Sequence, residues 1–380
     1  MEKYDYVIAG GGAAGLSLAY HLIHSNLREH SILIVDRDKK EKNDRTWCFW
    51  TNRPTYYDPI YYRSWQKLAV LSSDIKMVFS LGQYQYCMIR GIDFYTYTRQ
   101  ALEARKNIRF LNASVNQIID GPEYSIVVAN QESFLADWVF DSRFSPDLIQ
   151  KKPDRWHFLY QHFRGWLIQT EQDQFDPSTP YLFDFRTIQE RGLCFFYVLP
   201  FSPREALIEY TVFSDLLLSS DVYDEKLKQY IHDTLMIHEF TILEVESGVI
   251  PMTDLPFQRK LGNRILSIGT RGGLVKPSSG YAFLRIQNDS AAIVRSLEKF
   301  GHPYCISRSP SRYRWFDSVL LEVLEQDGKA ACPIFLDLFK KNPIERVFRF
   351  LDETGSVAEN IQVLASLPPL PFIQALIRLL

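Results

Sequence analysis

Residues 4–23 read YDYVIAGGGAAGLSLAYHLI, and their pattern decides the fold. The apolar run from Tyr4 to Ala9 predicts a buried strand, and Gly15 to Ile23 predicts a helix directly after it. Between them, Gly10, Gly12 and Gly15 fall in G-x-G-x-x-G spacing. A second strand is predicted over Ser31 to Val35, which closes a βαβ unit with Asp36 at its end. In such a unit glycines permit a tight turn and the close approach of a pyrophosphate. The helix N-terminus faces the phosphates, and an acid about 20 residues on accepts ribose hydroxyls. Gly10, Gly12, Gly15 and Asp36 are therefore candidate dinucleotide-binding residues.

A second glycine-rich strand-to-helix turn, IGTRGGLVKPSSGYAF, lies at 268–283. Gly269, Gly272, Gly273, Pro277 and Gly280 shape a loop entering a helix predicted at about 281–299. Amides at that helix start can face an electron-rich ring or a negative oxygen. One fingerprint at the start of the chain and a second turn far along it favour FAD over NAD. The second turn resembles the second flavin-contacting motif of the glutathione-reductase-like flavoproteins. Their hydroxylase branch carries Gly-Asp where this chain has Gly269 and Thr270, so that branch's ribityl-binding carboxylate is missing.

The rest of the chain divides around these turns. Residues 1–50, 93–148 and 246–300 are expected to form a discontinuous FAD-binding domain. Residues 51–92, with the aromatic run YYDPIYYRSW at 56–65, and 149–245 are expected to form a β-rich substrate domain. Residues 301–380 read as helical, with PPLP at 368–371 parting the last two helices. The fold class is thus α/β: a Rossmann-like FAD-binding domain of glutathione-reductase type, an inserted β-rich domain and a helical C-terminal region.

Composition narrows the function. The 380 residues are 46% hydrophobic and 23% charged, enough to bury a large cofactor. A net charge of −2, with no long run of like charge, gives no field for nucleic acid. The five cysteines show neither disulfide-framework nor metal-site spacing, so no metal is expected. No export leader is read before the first strand, and a reducing cytoplasm fits best. The longest apolar runs, such as CFFYVLPF at 194–201, fall short of the roughly 20 residues that span a bilayer. Aromatic content of 14% exceeds what a dinucleotide fold needs for itself. Large flat apolar surface is being lined.

One carboxylate stands out. EALIEYTVFS at 205–214 alternates so that Leu207, Glu209, Thr211 and Phe213 share a face opposite Ala206, Ile208, Tyr210 and Val212. Glu209 is either on the wet face of an edge strand or held among apolar neighbours to carry a proton. Just beyond the second strand, Arg45 and Trp47 are open to either a cofactor or a structural role. Asp254 and Lys276 are open to catalysis or to surface ion pairing, and His157 and His162 read as structural.

Several stretches converge on one family. DRTWCFW (44–50), VFDSR (139–143), QHFRGW (161–166), FFYVLPFS (195–202), ALIEYTVFS (206–214), GVIPMTD (248–254) and the second glycine turn, in this order, resemble the lycopene β-cyclases of carotenoid biosynthesis, and the likeness runs on to FRFLDE at 348–353. It lies nearest the bacterial form. The resemblance implies a redox-neutral cyclisation of the linear ends of lycopene, or a related linear carotenoid, by adding one proton and removing another. It implies bound FAD active in its reduced form, with NAD(P)H only as reductant. The family's acidic FLEET cluster is matched by LIEYT, with Glu209 as the retained catalytic carboxylate and Tyr210 in the second place. A membrane-resident substrate implies a cytoplasmic protein attached peripherally to a membrane surface, by 333–351 or by 372–380. A flavin monooxygenase, a prenyl-chain reductase and a non-enzymatic prenyl-chaperone module remain alternatives on the same fold.

Overall fold

A computed structural model describes residues 1–150, 155–307 and 309–379. The chain opens with β1 (Glu2–Ala9), α1 (Ala13–Ile23) and β2 (Ile32–Asp36), then β3 (Thr46–Thr51), β4 (Arg63–Trp65), β5 (Lys67–Leu71), β6 (Lys76–Ser80) and β7 (Gln85–Arg90). Next come α2 (Gly91–Glu103), β8 (Ile108–Asn112), β9 (Val115–Ile119), β10 (Ser125–Ala129), β11 (Glu132–Asp141) and α3 (Asp147–Gln150). The middle holds β12 (Phe158–Gln169), β13 (Tyr181–Asp184), β14 (Leu193–Ser202), β15 (Glu205–Ser214), α4 (Ser220–Gln229), β16 (Thr241–Thr253) and β17 (Ile265–Ser267). The last part is helical: α5 (Phe283–Phe300), α6 (Ser311–Asp327), α7 (Cys332–Lys340), α8 (Ile344–Leu351), α9 (Val357–Ser366) and α10 (Pro369–Leu379).

The opening βαβ unit forms because Gly12 takes an extended conformation as N-cap, so α1 begins at Ala13, earlier than the spacing predicts. Parallel pairing then orders β8, β2, β1, β11 and β17 into one sheet, to which β10 and β9 add an antiparallel meander. Apolar residues of this sheet, such as Ile8, Ile34 and Phe140, pack on α1, α2 and α5. Gly301, at φ 71°, ends α5 in the left-handed conformation that glycine reaches without strain.

A larger sheet runs β16-β12-β15-β14-β13-β5-β6, with β3, β7 and β4 in a small sheet beside it. One face of the larger sheet is covered by α6 to α10 and the other by α4. β16 pairs with β12 along its whole length, up to Thr253. Residues 246–253 therefore lie with the large sheet, and not with the glycine-turn segments where the sequence reading puts them. That shift matters, because it brings Glu246 into the large sheet. β15 is likewise no edge strand: β12 and β14 flank it and both its faces are covered.

Candidate active site

Glu209 sits in the middle of β15, only 8% exposed, on the face that carries Leu207 and Phe213. Its cross-strand neighbours are Tyr197 on β14 and Gly165 on β12. On the far side of β12 the same Gly165 is paired with Glu246 of β16. Strands two apart lie roughly 10 Å from each other, so the two glutamates must reach across whatever side chain β12 puts between them. It puts none. A Cβ on Gly165 would stand 2.7 Å from Cγ of Glu209 and 3.4 Å from Cγ of Glu246. The glycine opens the gap in which the two carboxyls meet and hydrogen-bond.

Their closeness and burial disfavour ionising both carboxyls at once. Burial first, and then the charge of Glu246 and their hydrogen bond, push the Glu209 carboxyl well above the ordinary carboxylate range. Burial also raises Glu246, while hydrogen bonds from Thr46 and from Glu209 favour its charged form. Thr46 Oγ1 donates to Glu246 Oε2 at 2.7 Å. Oε1 is buried and finds no donor among the described residues if both carboxyls are ionised. A proton on Glu209 supplies that donor. Glu246 escapes sequence reading because β16 shows no clean alternation: Ile242, Leu243 and Val245 face solvent just before it. The signal that does exist is Gly165 inside an otherwise strand-like QHFRGW.

Both carboxyls line one cavity of about 470 Å³ that also meets Gly12, Arg45, Gly269, Thr270 and Gly280. Its walls near Glu209 are aromatic. Tyr197, Tyr86 and Tyr281 gather there, with the Tyr86 and Tyr281 hydroxyls 3.4 Å apart. The Trp50 and Tyr281 rings lie 4.6 Å apart between centroids.

The glycine turns fit a dinucleotide on their own geometry. A Cβ on Gly12 would meet open space, whereas one on Gly15 would stand 2.0 Å from the Gly10 carbonyl oxygen. Gly12 thus leaves room for a ligand's approach, and Gly15 lets α1 pack close to the turn. Gly10 has φ 108° and abuts Ser142, so it too is fixed by the turn. Asp36 ends β2 beside a neighbouring cavity and accepts from Gly11 N at 2.5 Å. Neither α1 nor α5 has a side-chain cap on its first amides, and both helices begin at the large cavity. Gly269 (φ 63°) packs on Ala14, and Gly280 (φ 72°) on Gln161. Gly272, Gly273 and Pro277 shape the turn without lining the cavity. Arg45 is exposed at the cavity rim, while Trp47 packs on Phe94 and Phe283.

A second, narrow apolar cavity, termed the channel below, shares Tyr197, Ser279 and Tyr281 with the large cavity as lining residues. Phe183, Phe213, Leu320, Phe335, Leu364 and Phe372 line it, so its walls come from the large sheet and helices α6 to α10. Lys276 also touches it, yet it is no surface ion pair: it is 4% exposed and its Nζ donates to Asp317 at 2.7 Å and Glu353 at 3.0 Å. The channel wall therefore presents a paired charge.

The remaining candidates lie elsewhere. Asp254 accepts from His157 at Nδ1, 2.8 Å away, and is buried. His157 Nε2 meets Glu322 of α6 at 2.9 Å, so this histidine has partners after all, distant in sequence. His162 is held by Tyr223 at 2.5 Å and Ser214 at 2.8 Å, and burial pulls its pKa down to about 4. Tyr210 is on the opposite face of β15, tilted on Phe196. The second acid beside Glu209 thus comes from another strand and not from the next residue.

The chain was compared with known proteins. The model of a family described as lycopene cyclase protein matches residues 5–377. A lycopene beta-cyclase of Pseudescherichia vulneris is 25% identical over 388 residues, which cover 98% of this chain and 96% of that one. A lycopene beta-cyclase of a Paracoccus species is 28% identical over 231 residues, 56% of this chain and 57% of that one. Among solved structures, a geranylgeranyl bacteriochlorophyll reductase-like protein from Thermoplasma acidophilum is similar over the full length of both chains, with a TM-score of 0.62 and 12% identity. A flavin-dependent brominase is similar over 96% of this chain and 98% of its own, with a TM-score of 0.66 and 14% identity. At such identities the likeness is one of fold, and that fold is the FAD-binding Rossmann type with a helical C-terminal region.

Proposed function

The chain belongs to the lycopene cyclase protein family, and from that premise we propose that it closes the linear ends of lycopene into β rings by moving protons, with no net oxidation or reduction. The observation that carries this reading is the placement of Glu209, buried, its carboxyl held well above the ordinary range by that burial, in the glycine-turn cavity beside the tyrosines it shares with the apolar channel. A hydrocarbon end entering from the channel side meets an acid whose charged form is disfavoured by burial. Glu209 donates its proton to a terminal double bond, and the neighbouring double bond closes on the cation so formed. The aromatic faces of Tyr197, Tyr281 and Tyr86 stand beside the cation, each worth about 0.5–2 kcal/mol. Loss of a proton from the closed ring ends the reaction.

Gly12 and the start of α1 would hold the pyrophosphate of FAD, Asp36 its ribose, and Gly269, Thr270 and the start of α5 its far end, with Arg45 at the rim. When bound in reduced form, FAD would supply an electron-rich ring able to stabilise a cation, and NAD(P)H would serve only to keep it reduced. The deciding experiment is anaerobic incubation of lycopene with chemically reduced FAD, comparing wild type with Glu209→Gln. Wild type forms rings without nicotinamide, and the variant is slower by at least ~100-fold. Nicotinamide oxidation in step with product would instead identify a monooxygenase or reductase.

A cytoplasmic protein resting on a membrane surface is part of the same reading. Of the two segments suggested by sequence, 333–351 turns its apolar residues inward: Ile344, Val347 and Phe348 are buried against the large sheet's covering layer. In α10, by contrast, Leu370 is 64% exposed, Ile373 51% and Ile377 69%. Among the described residues no single helix is long and apolar enough to cross a bilayer, and α9 and α10 meet at a 112° bend. Attachment by α10, with entry of substrate between the helices that line the channel, suits these facts.

A further inference from the structure

Resting on the cyclisation reading, we infer that Glu246 is the base of the reaction, and that Glu209 and Glu246 act as one acid–base pair that ends each ring closure with its proton restored. Three independent placements lead there. Glu246 lines the same cavity as Glu209, so it has access to the same substrate end. Gly165 clears the space between them, which a Cβ would fill. Thr46 fixes Oε2 of Glu246 at 2.7 Å and leaves Oε1 buried without a donor unless Glu209 carries a proton. An isolated structural glutamate in that position would leave a buried acceptor unserved.

The steps balance. The O–H bond of Glu209 breaks as a C–H bond forms on the substrate, leaving a carbocation and a second carboxylate. After ring closure a C–H bond breaks, its electron pair becomes the new ring double bond, and the proton goes to Glu246. Transfer along the hydrogen bond from Glu246 to Glu209 restores the starting state. No oxidant or reductant is consumed. A second carboxylate on another strand of the same cavity offers a second direction of approach to the substrate end.

The groups around the pair are Arg45 and Thr46 at the start of β3, Cys48 on β3, Tyr86 on β7, Tyr197 on β14, Glu244 on β16 and Tyr281 ahead of α5. Cys48 and the three tyrosines are kept neutral by burial. Arg45 favours the charged form of Glu246 and Glu244 opposes it. The alkaline limb of the rate therefore reports on Glu209 under the influence of the Glu246 charge.

The test compares wild type, Glu246→Gln and Glu246→Asp for anaerobic cyclisation of lycopene with reduced FAD across pH, with flavin content and thermal melting as folding controls. Glu246→Gln should be slower by at least ~100-fold, retain FAD, and show its alkaline limb at lower pH because the neighbouring charge is gone. Glu246→Asp, with a shorter carboxylate, should fall between the two in rate. It also carries the test if the glutamine variant does not fold, since it must then be at least ~10-fold slower than wild type. Rates within threefold of wild type with an unmoved limb, or an aspartate variant no faster than the glutamine one, overturn the inference. A wild type that forms no rings would instead overturn the proposed function.

Discussion

At the scale of the residue, the proposed role of Glu209 comes with a cost in stability. Its folded-state pKa lies well above the unfolded value of about 4.3. Above that pH the unfolded chain has released its proton and the folded chain has not, so stability falls as pH rises until the folded carboxyl itself ionises. Glu209→Gln should therefore be more stable than wild type at pH 7, with a gain that grows as pH rises above about 4.3 in denaturant melts, even as its cyclisation is expected to be at least ~100-fold slower. Gly165 makes the complementary prediction. Gly165→Ala would press a methyl group to within 2.7 Å of Glu209 Cγ, and overpacking of that kind typically costs about 1–3 kcal/mol. It should lower the melting temperature and slow cyclisation at least ~10-fold without removing either acid.

At the scale of the element, the turns are legible and the registers are not. Strand, glycine turn and helix from β1 to α1 follow from local periodicity, and Asp36 from a fixed distance along the same unit. The hairpin β14–β15 and the break between α9 and α10 are readable for the same reason: Pro203 and the prolines at 368–371 act on their own neighbours. Glu246 is different. Its meeting with Glu209 depends on β16 and β15 both choosing β12 as partner, in registers that align three residues 44 and 37 positions or more apart in sequence, and no local pattern encodes that choice. The same holds for Lys276, whose acids come from α6 and from beyond α8. Within the second turn, Gly280→Ala forces a side chain into the left-handed region, about 1–2 kcal/mol, and into Gln161 at 2.0 Å. Flavin titration should show FAD affinity reduced roughly 10-fold by that strain.

At the scale of the whole molecule, the channel exists only because the helical region is fastened to the large sheet. His157 is one fastening, joining β12 and β16 to α6 through Asp254 and Glu322. Burial opposes its charge, but hydrogen bonds and charge from Asp254, and then Glu322 and Glu325, outweigh it and raise its pKa. The contribution is complete below the unfolded value of about 6.5 and fades as pH rises through the folded value. In denaturant melts the gap between wild type and His157→Gln should be widest near pH 6 and narrow on the alkaline side. Phe372 of α10 lines the channel while Ile373 and Ile377 of the same helix are exposed, and Ile373→Ser with Ile377→Ser should weaken flotation with anionic liposomes while leaving FAD content unchanged. The cavity receives one carboxylate pair, and a linear polyene has two ends. Under the proposed function, closing both ends of one molecule requires turning it end for end, and the expected outcome is that singly ringed product builds up before any doubly ringed one, with an early chase of unlabelled lycopene holding the label in it.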